Sequence, residues 1–73
     1  MPELPILSGR EIVKALAKIG YRTVRKRGSH VRLACPDRIS VTVPDYRAVS
    51  KGLLRKVLRD ALLSVEGFLR LLE

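Results

Sequence analysis

The sequence predicts an α+β fold: a helix, three antiparallel strands, a second helix and a short third helix, with one sheet face covered and the other open. Apolar residues recur at helical spacing toward both ends of the chain. They alternate with period two between Val31 and Val43, and glycine, proline and serine stand where the period changes. With 73 residues there is room for one domain, so 1–73 is read as a single unit.

Ser8-Gly9-Arg10-Glu11 has the spacing of a capping box, in which the Ser8 hydroxyl accepts from a backbone amide three residues on and Glu11 reaches back. A first helix therefore starts there, with Ile12, Ala15, Leu16 and Ile19 on its inner face, and Gly20 ends it. Arg22 to Arg27 reads as a strand with Val24 inward, Thr23, Arg25 and Arg27 outward, and Tyr21 packed on the end of the helix. Gly28 makes the turn. Val31, Leu33 and Cys35 then alternate with His30, Arg32 and Ala34, and Ile39, Val41 and Val43 alternate with Arg38, Ser40 and Thr42. Pro36-Asp37 joins these two strands, and Pro44, which has no amide to donate, ends the third. Ser50 caps a helix to about Leu63 whose stripe is Leu54, Val57, Leu58, Ala61 and Leu62. Ser64 opens a short helix, Val65 to Leu72, whose Phe68, Leu69 and Leu72 close the core.

Fifteen Lys and Arg against seven Asp and Glu give a formal charge of +8, a large field for a body of this size, and the favoured partner is a polyanion. The charge is uneven, since Ile12 to Pro36 holds seven basic residues and no acidic one. Two tyrosines, one phenylalanine and no tryptophan argue against an aromatic base-stacking platform. A single cysteine, Cys35, excludes an internal disulfide, fits a reducing compartment and reads as core filler. Met1 to Leu7 lacks the pattern of a signal peptide, and no apolar run reaches the roughly 20 residues that cross a bilayer. The expectation is a cytoplasmic protein. With one histidine and one cysteine on opposite strand faces no structural zinc is expected, and no cofactor. Gly28-Ser29 lacks the glycine spacing and following helix of a phosphate loop, so Ser29 reads as a turn residue placed to donate to a phosphate.

The stretch Arg25-Lys26-Arg27-Gly28-Ser29-His30-Val31-Arg32 sets the lone histidine among cations on the open face. A histidine gives and takes protons near neutral pH, while guanidinium and ammonium groups bind a phosphodiester and stabilise added charge at phosphorus. RNA carries its own nucleophile, the 2′-hydroxyl. The chemistry this pattern fits is metal-independent RNA cleavage, with His30 as general base or acid and Arg25, Lys26, Arg27 and Arg32 as phosphate ligands. Tyr46 or Lys26 would carry the second proton; an arginine does not deprotonate usefully. Lys51, Arg55 and Arg59, at steps of four, form a basic ridge for further phosphate contacts.

Gly28-Ser29-His30, preceded by Gly20-Tyr21 and a basic strand and followed by Val43-Pro44 and Lys51-Gly52-Leu53-Leu54-Arg55-Lys56-Val57-Leu58-Arg59, resembles the HicA (YcfA-like) toxin family from about Ser8 to Leu72. That resemblance implies a double-stranded-RNA-binding-domain-like fold, an mRNA-cleaving toxin of a toxin–antitoxin pair, and neutralisation by a HicB-type antitoxin. The family's catalytic histidine maps onto His30. Many members carry a second histidine after the proline that ends strand three, where this chain has Asp45-Tyr46, and a threonine where it has Leu53. The alternative reading is a noncatalytic double-stranded-RNA-binding module, which shares the order of elements.

Overall fold

The computed structural model describes residues 3–73. Met1 and Pro2, part of the segment judged not to be a signal peptide, lie outside the described residues. The element order is α1 (Gly9–Ala17), β1 (Arg22–Arg27), β2 (His30–Cys35), β3 (Arg38–Pro44), α2 (Lys51–Asp60) and α3 (Val65–Leu71). The strands form one antiparallel sheet in the order β1-β2-β3. The architecture is the expected α+β one, a three-stranded open sheet with helices, as in double-stranded-RNA-binding-domain-like folds.

Each helix begins where its serine was expected to cap it. Ser8 and Glu11 form the reciprocal capping box, Ser50 accepts from the Leu53 amide, and Ser64 accepts from the Gly67 amide. Gly20, at φ 107°, lies in the left-handed region and lets the Tyr21 amide return to the Leu16 carbonyl. Tyr21 is buried and its hydroxyl donates to the Ile39 carbonyl at 2.8 Å. Burial pushes that phenol above its usual range, with the Arg38 charge working in the opposite sense.

The core is aliphatic, as composition requires. Ile12 and Leu16 from α1, Leu33, Val41 and Val43 from the sheet, Leu54 and Leu58 from α2, and Phe68 from α3 are all buried together. Each such side chain contributes about 1.5–3 kcal/mol relative to leaving it in water. Leu4 and Leu7 before α1 and Val49 before α2 also join the core, in a segment and a loop whose periodicity does not announce them. An isolated bridge explains the pairing: Leu7 faces Val49, and the Val49 amide donates to the Leu7 carbonyl at 2.7 Å.

Four sequence expectations are corrected by local geometry. Val24 is 60% exposed instead of buried, and Thr23 lies on the helix face opposite Leu33, because β1 carries one extra residue between Thr23 and Arg25. Ile39 is 58% exposed for the same kind of reason, a second bulge where β3 runs Val41 to Arg38 against Leu33 to Cys35. Leu62 is 77% exposed: α2 stops at Asp60, and Leu62 at φ 56° takes the left-handed position after the Ala61 cap. The amides of Leu62 and Leu63 return to the carbonyls of Arg59 and Leu58, the double hydrogen bond of a Schellman ending. Finally, α3 ends at Leu71, which packs on the core, while Leu72 points outward.

Gly9 is the tightest joint. A Cβ there would collide with the Pro44 carbonyl oxygen, so the first turn of α1 lies directly on the end of β3. Gly52, in the first turn of α2, has open space at the same position. Gly9→Ala is expected to destabilise the fold by about 1–3 kcal/mol through overpacking. Gly52→Ala should be neutral or stabilising by up to about 1 kcal/mol. Thermal melts of the two variants check the contrast.

Candidate functional site

The β1–β2 hairpin turns through Gly28 and Ser29, with Gly28 at φ 58°, a conformation that glycine adopts without cost in two-residue primed turns. Its register sets the site. Arg22 pairs with Ala34, Arg25 with Arg32, and Arg27 with His30, whereas Lys26 pairs with Val31 and Thr23 with Leu33. Directly paired residues share a face, and Val31 and Leu33 are buried under the helices. Arg25, Arg27, His30 and Arg32 therefore stand together on the open face, as expected. The two-residue turn fixes the pairs made by Arg27, Lys26 and Arg25, and the extra residue at Val24 lies beyond them, so it sets only the faces of Thr23 and Arg22.

Lys26 departs from the site expected of it. It projects on the helix face, where its Nζ meets the Asp45 carboxylate at 2.8 Å. The hydrogen bond and charge of Lys26 hold the Asp45 carboxyl below its usual range, and the Arg10 charge adds to this. Asp45 also donates its amide to the Ser29 carbonyl at 2.6 Å, and Gly9 donates to the Tyr46 carbonyl at 2.8 Å. These bonds tie the hairpin turn, the end of β3 and the start of α1 to one corner. Ser29 is half-buried there, its carbonyl engaged by Asp45.

Arg25 and Arg32 face one another across the ladder, a like-charge arrangement that costs stability. Arg32 directs one guanidinium nitrogen to the Thr42 hydroxyl at 3.0 Å. No carboxylate among the described residues forms an ion pair with Arg25, Arg27 or Arg32. A row of cations left without partners is what an anionic ligand would complete.

From this face a groove of about 370 Å³ runs over β3 toward α2. It is lined by His30 and Arg32 of β2, Ser40, Val41, Thr42 and Pro44 of β3, Tyr46 of the following loop, and Leu53, Lys56 and Asp60 of α2. Sequence reasoning found His30, Arg32 and Tyr46 but missed Lys56 and Asp60. Leu53, Lys56 and Asp60 are spaced three and four apart and share one flank of α2, a pattern visible in the sequence only once that flank is known to adjoin β3. Lys51, Arg55 and Arg59 are exposed as expected, yet they lie on the other flank, about 130° around the helix at 3.6 residues per turn. The ridge and the histidine groove are thus separate surfaces, and Lys51 approaches Glu3 at 4.0 Å.

A larger depression of about 770 Å³ lies at the other end of the sheet, among Ile19, Cys35, Arg38, Ile39 and Leu62. Its Arg38 guanidinium already donates to the Ala61 carbonyl at 3.0 Å, so it has the volume of a site without the free charge. No helix is long and apolar enough to cross a membrane among the described residues.

The family model described as the HicA toxin of bacterial toxin–antitoxin matches residues 9–63. That span runs from the first turn of α1 through the hairpin and groove to the end of α2. No curated protein and no solved structure matches.

The Lys26–Asp45 pair generates a pH prediction. A carboxyl whose folded-state affinity for protons is lowered adds stability above its unfolded value, near 3.8, and that stability is lost as pH falls through the lowered folded value. Asp45→Asn is expected to melt below the wild type at pH 7, with the gap closing as pH drops below 3.8 toward 2. Thermal melts across that range check it.

Proposed function

The chain belongs to the HicA toxin family of bacterial toxin–antitoxin systems, and from that membership and the histidine in its cation-lined groove we propose that it is an mRNA-cleaving endoribonuclease. The observation that carries the reading is the placement of His30 beside Arg27, Arg25 and Arg32 on an open face, next to a groove that also holds Tyr46.

The proposed reaction uses the substrate's own 2′-hydroxyl. His30 takes the proton from that hydroxyl as its oxygen bonds to phosphorus, and the bond from phosphorus to the 5′-oxygen breaks. The departing oxygen takes a proton from Tyr46, whose phenolic hydroxyl is a donor in the same groove. Lys26, the other group considered for this proton, is turned to the opposite face and engaged by Asp45. The products are a 2′,3′-cyclic phosphate and a 5′-hydroxyl. Arg25, Arg27 and Arg32 supply fixed positive charge as negative charge builds on the equatorial oxygens. No cofactor enters the reaction as written.

A chain of this family works against an antitoxin, and the partner proposed here is a HicB-type protein. Its covering the cationic face would exclude RNA and silence the site in one step. The proposed setting is the cytoplasm, where mRNA is found, with 1–73 acting as one domain.

His30→Ala is expected to lower cleavage of an mRNA substrate by about 10²–10⁴-fold, the usual range for a lost acid–base group. The circular dichroism melt should be unchanged, because His30 is exposed. Gel analysis of 5′-hydroxyl fragments reads the result. Cleavage by the variant equal to that of the wild type would overturn the enzyme reading. RNA binding without cleavage by the wild type would favour a noncatalytic module.

A further inference from the structure

We propose that Lys56 of α2 is a phosphate ligand, holding the backbone of a single RNA strand in the groove against Arg32 and His30. The inference rests on the RNA-directed reading above and adds to the site a helical residue from outside the hairpin.

Helix α2 runs back along β3. At its far end the Arg38 guanidinium donates to the Ala61 carbonyl at 3.0 Å, and at its near end the Val49 amide is pinned to Leu7 just before the Ser50 cap. From Leu53 to Asp60 the helix rises about 10 Å, and from Pro44 to Ser40 the strand covers about 13 Å, so the two walls are matched in length. Leu53, Lys56 and Asp60 thus line the helix wall of the groove, and Pro44, Thr42 and Ser40 its sheet wall. Thr42 is the residue whose hydroxyl holds the Arg32 guanidinium. Lys56 and Arg32 therefore line one groove, from its helix wall and its sheet wall.

Lys56 is free to act there. Among the described residues, Lys26 is paired with Asp45 and Lys51 approaches Glu3, while Lys56 has no carboxylate within 4 Å. Asp60 is one turn away, but with the lysine on its N-terminal side the pair has the less favourable order on a helix. Asp60 is also the sole carboxylate of the groove wall, and it closes the Ser40 end to phosphate. The anionic backbone is thereby confined to the half that holds His30, Arg32 and Lys56. The Lys51, Arg55 and Arg59 ridge faces elsewhere and is not part of this contact.

Affinity for a 2′-O-methyl RNA oligonucleotide, which lacks the nucleophile and stays intact, tests the assignment as salt is varied. Lys56→Gln is expected to bind about tenfold more weakly at 0.1 M salt, with the slope of log K against log salt shallower by about 0.7, the value of one phosphate contact on a single strand. Lys56→Arg should restore most of the affinity, and Arg70→Gln, at an exposed cation on α3, should leave the slope as it is. A wild-type slope in Lys56→Gln, an equal loss in Arg70→Gln, or no binding by the wild type would overturn the proposal. Cleavage of the unmodified RNA is read separately. Wild-type binding without cleavage, together with the Lys56 slope change, would remove the nuclease reading while upholding this contact.

Discussion

The corner formed by Pro44, Asp45 and Tyr46 is the constraint on which the proposed site depends. Gly9 presses its bare Cα against the Pro44 carbonyl and sends its amide to Tyr46, which seats the first turn of α1 on the end of β3. Asp45 then reaches the other way, taking the Ser29 carbonyl with its amide and the Lys26 ammonium with its carboxylate. His30 is paired with Pro44 in the ladder, so the histidine is fixed by backbone geometry on both sides. Its immediate supports are main-chain groups and an ion pair, while the apolar core lies beneath the neighbouring Val31 and Leu33. That division keeps an exposed, chemically useful side chain on a rigid base.

Much of this was legible in the residues. The three serine caps, the glycine turns and the period-two runs predict the elements and their order, since each signal acts within a few residues of itself. The open-face group of Arg25, Arg27, His30 and Arg32 was legible for the same reason. The misplaced residues lie where a non-local fact intervenes. Val24 and Ile39 sit at bulges that exist only because a neighbouring strand has one residue fewer. Lys26 alternates with Arg25 and Arg27, so the strand period already sets it on the other face, but its partner there, Asp45, lies 19 residues on and shows only in the fold. Lys56 and Asp60 were missed because the flank of a helix that borders a groove depends on where the sheet lies.

The charge distribution divides α2 more finely than net charge suggests. Its buried stripe of Leu54, Val57 and Leu58 separates two solvent-facing flanks of different character. One carries three cations, Lys51, Arg55 and Arg59, in a row. The other mixes an apolar, a basic and an acidic residue beside the sheet. A uniform cationic row gives affinity and little discrimination, whereas mixed groups in a concavity give orientation. Two kinds of contact with one polyanion can thus be built on a single ten-residue helix.

The extra residue in β1 has a consequence for how related chains are compared. The turn at Gly28 and Ser29 fixes the residue opposite His30, and the point between Gly20 and Gly28 where the ladder skips fixes the faces of the residues before it. Two homologues with the same residues whose ladders skip on different sides of Arg25 would turn that arginine to opposite faces, one to solvent and one to the helices. A column-by-column alignment would score them as identical at every basic position. Descent in this part of the molecule is therefore better traced by strand pairing than by letters, with the hairpin glycine as the origin of the numbering.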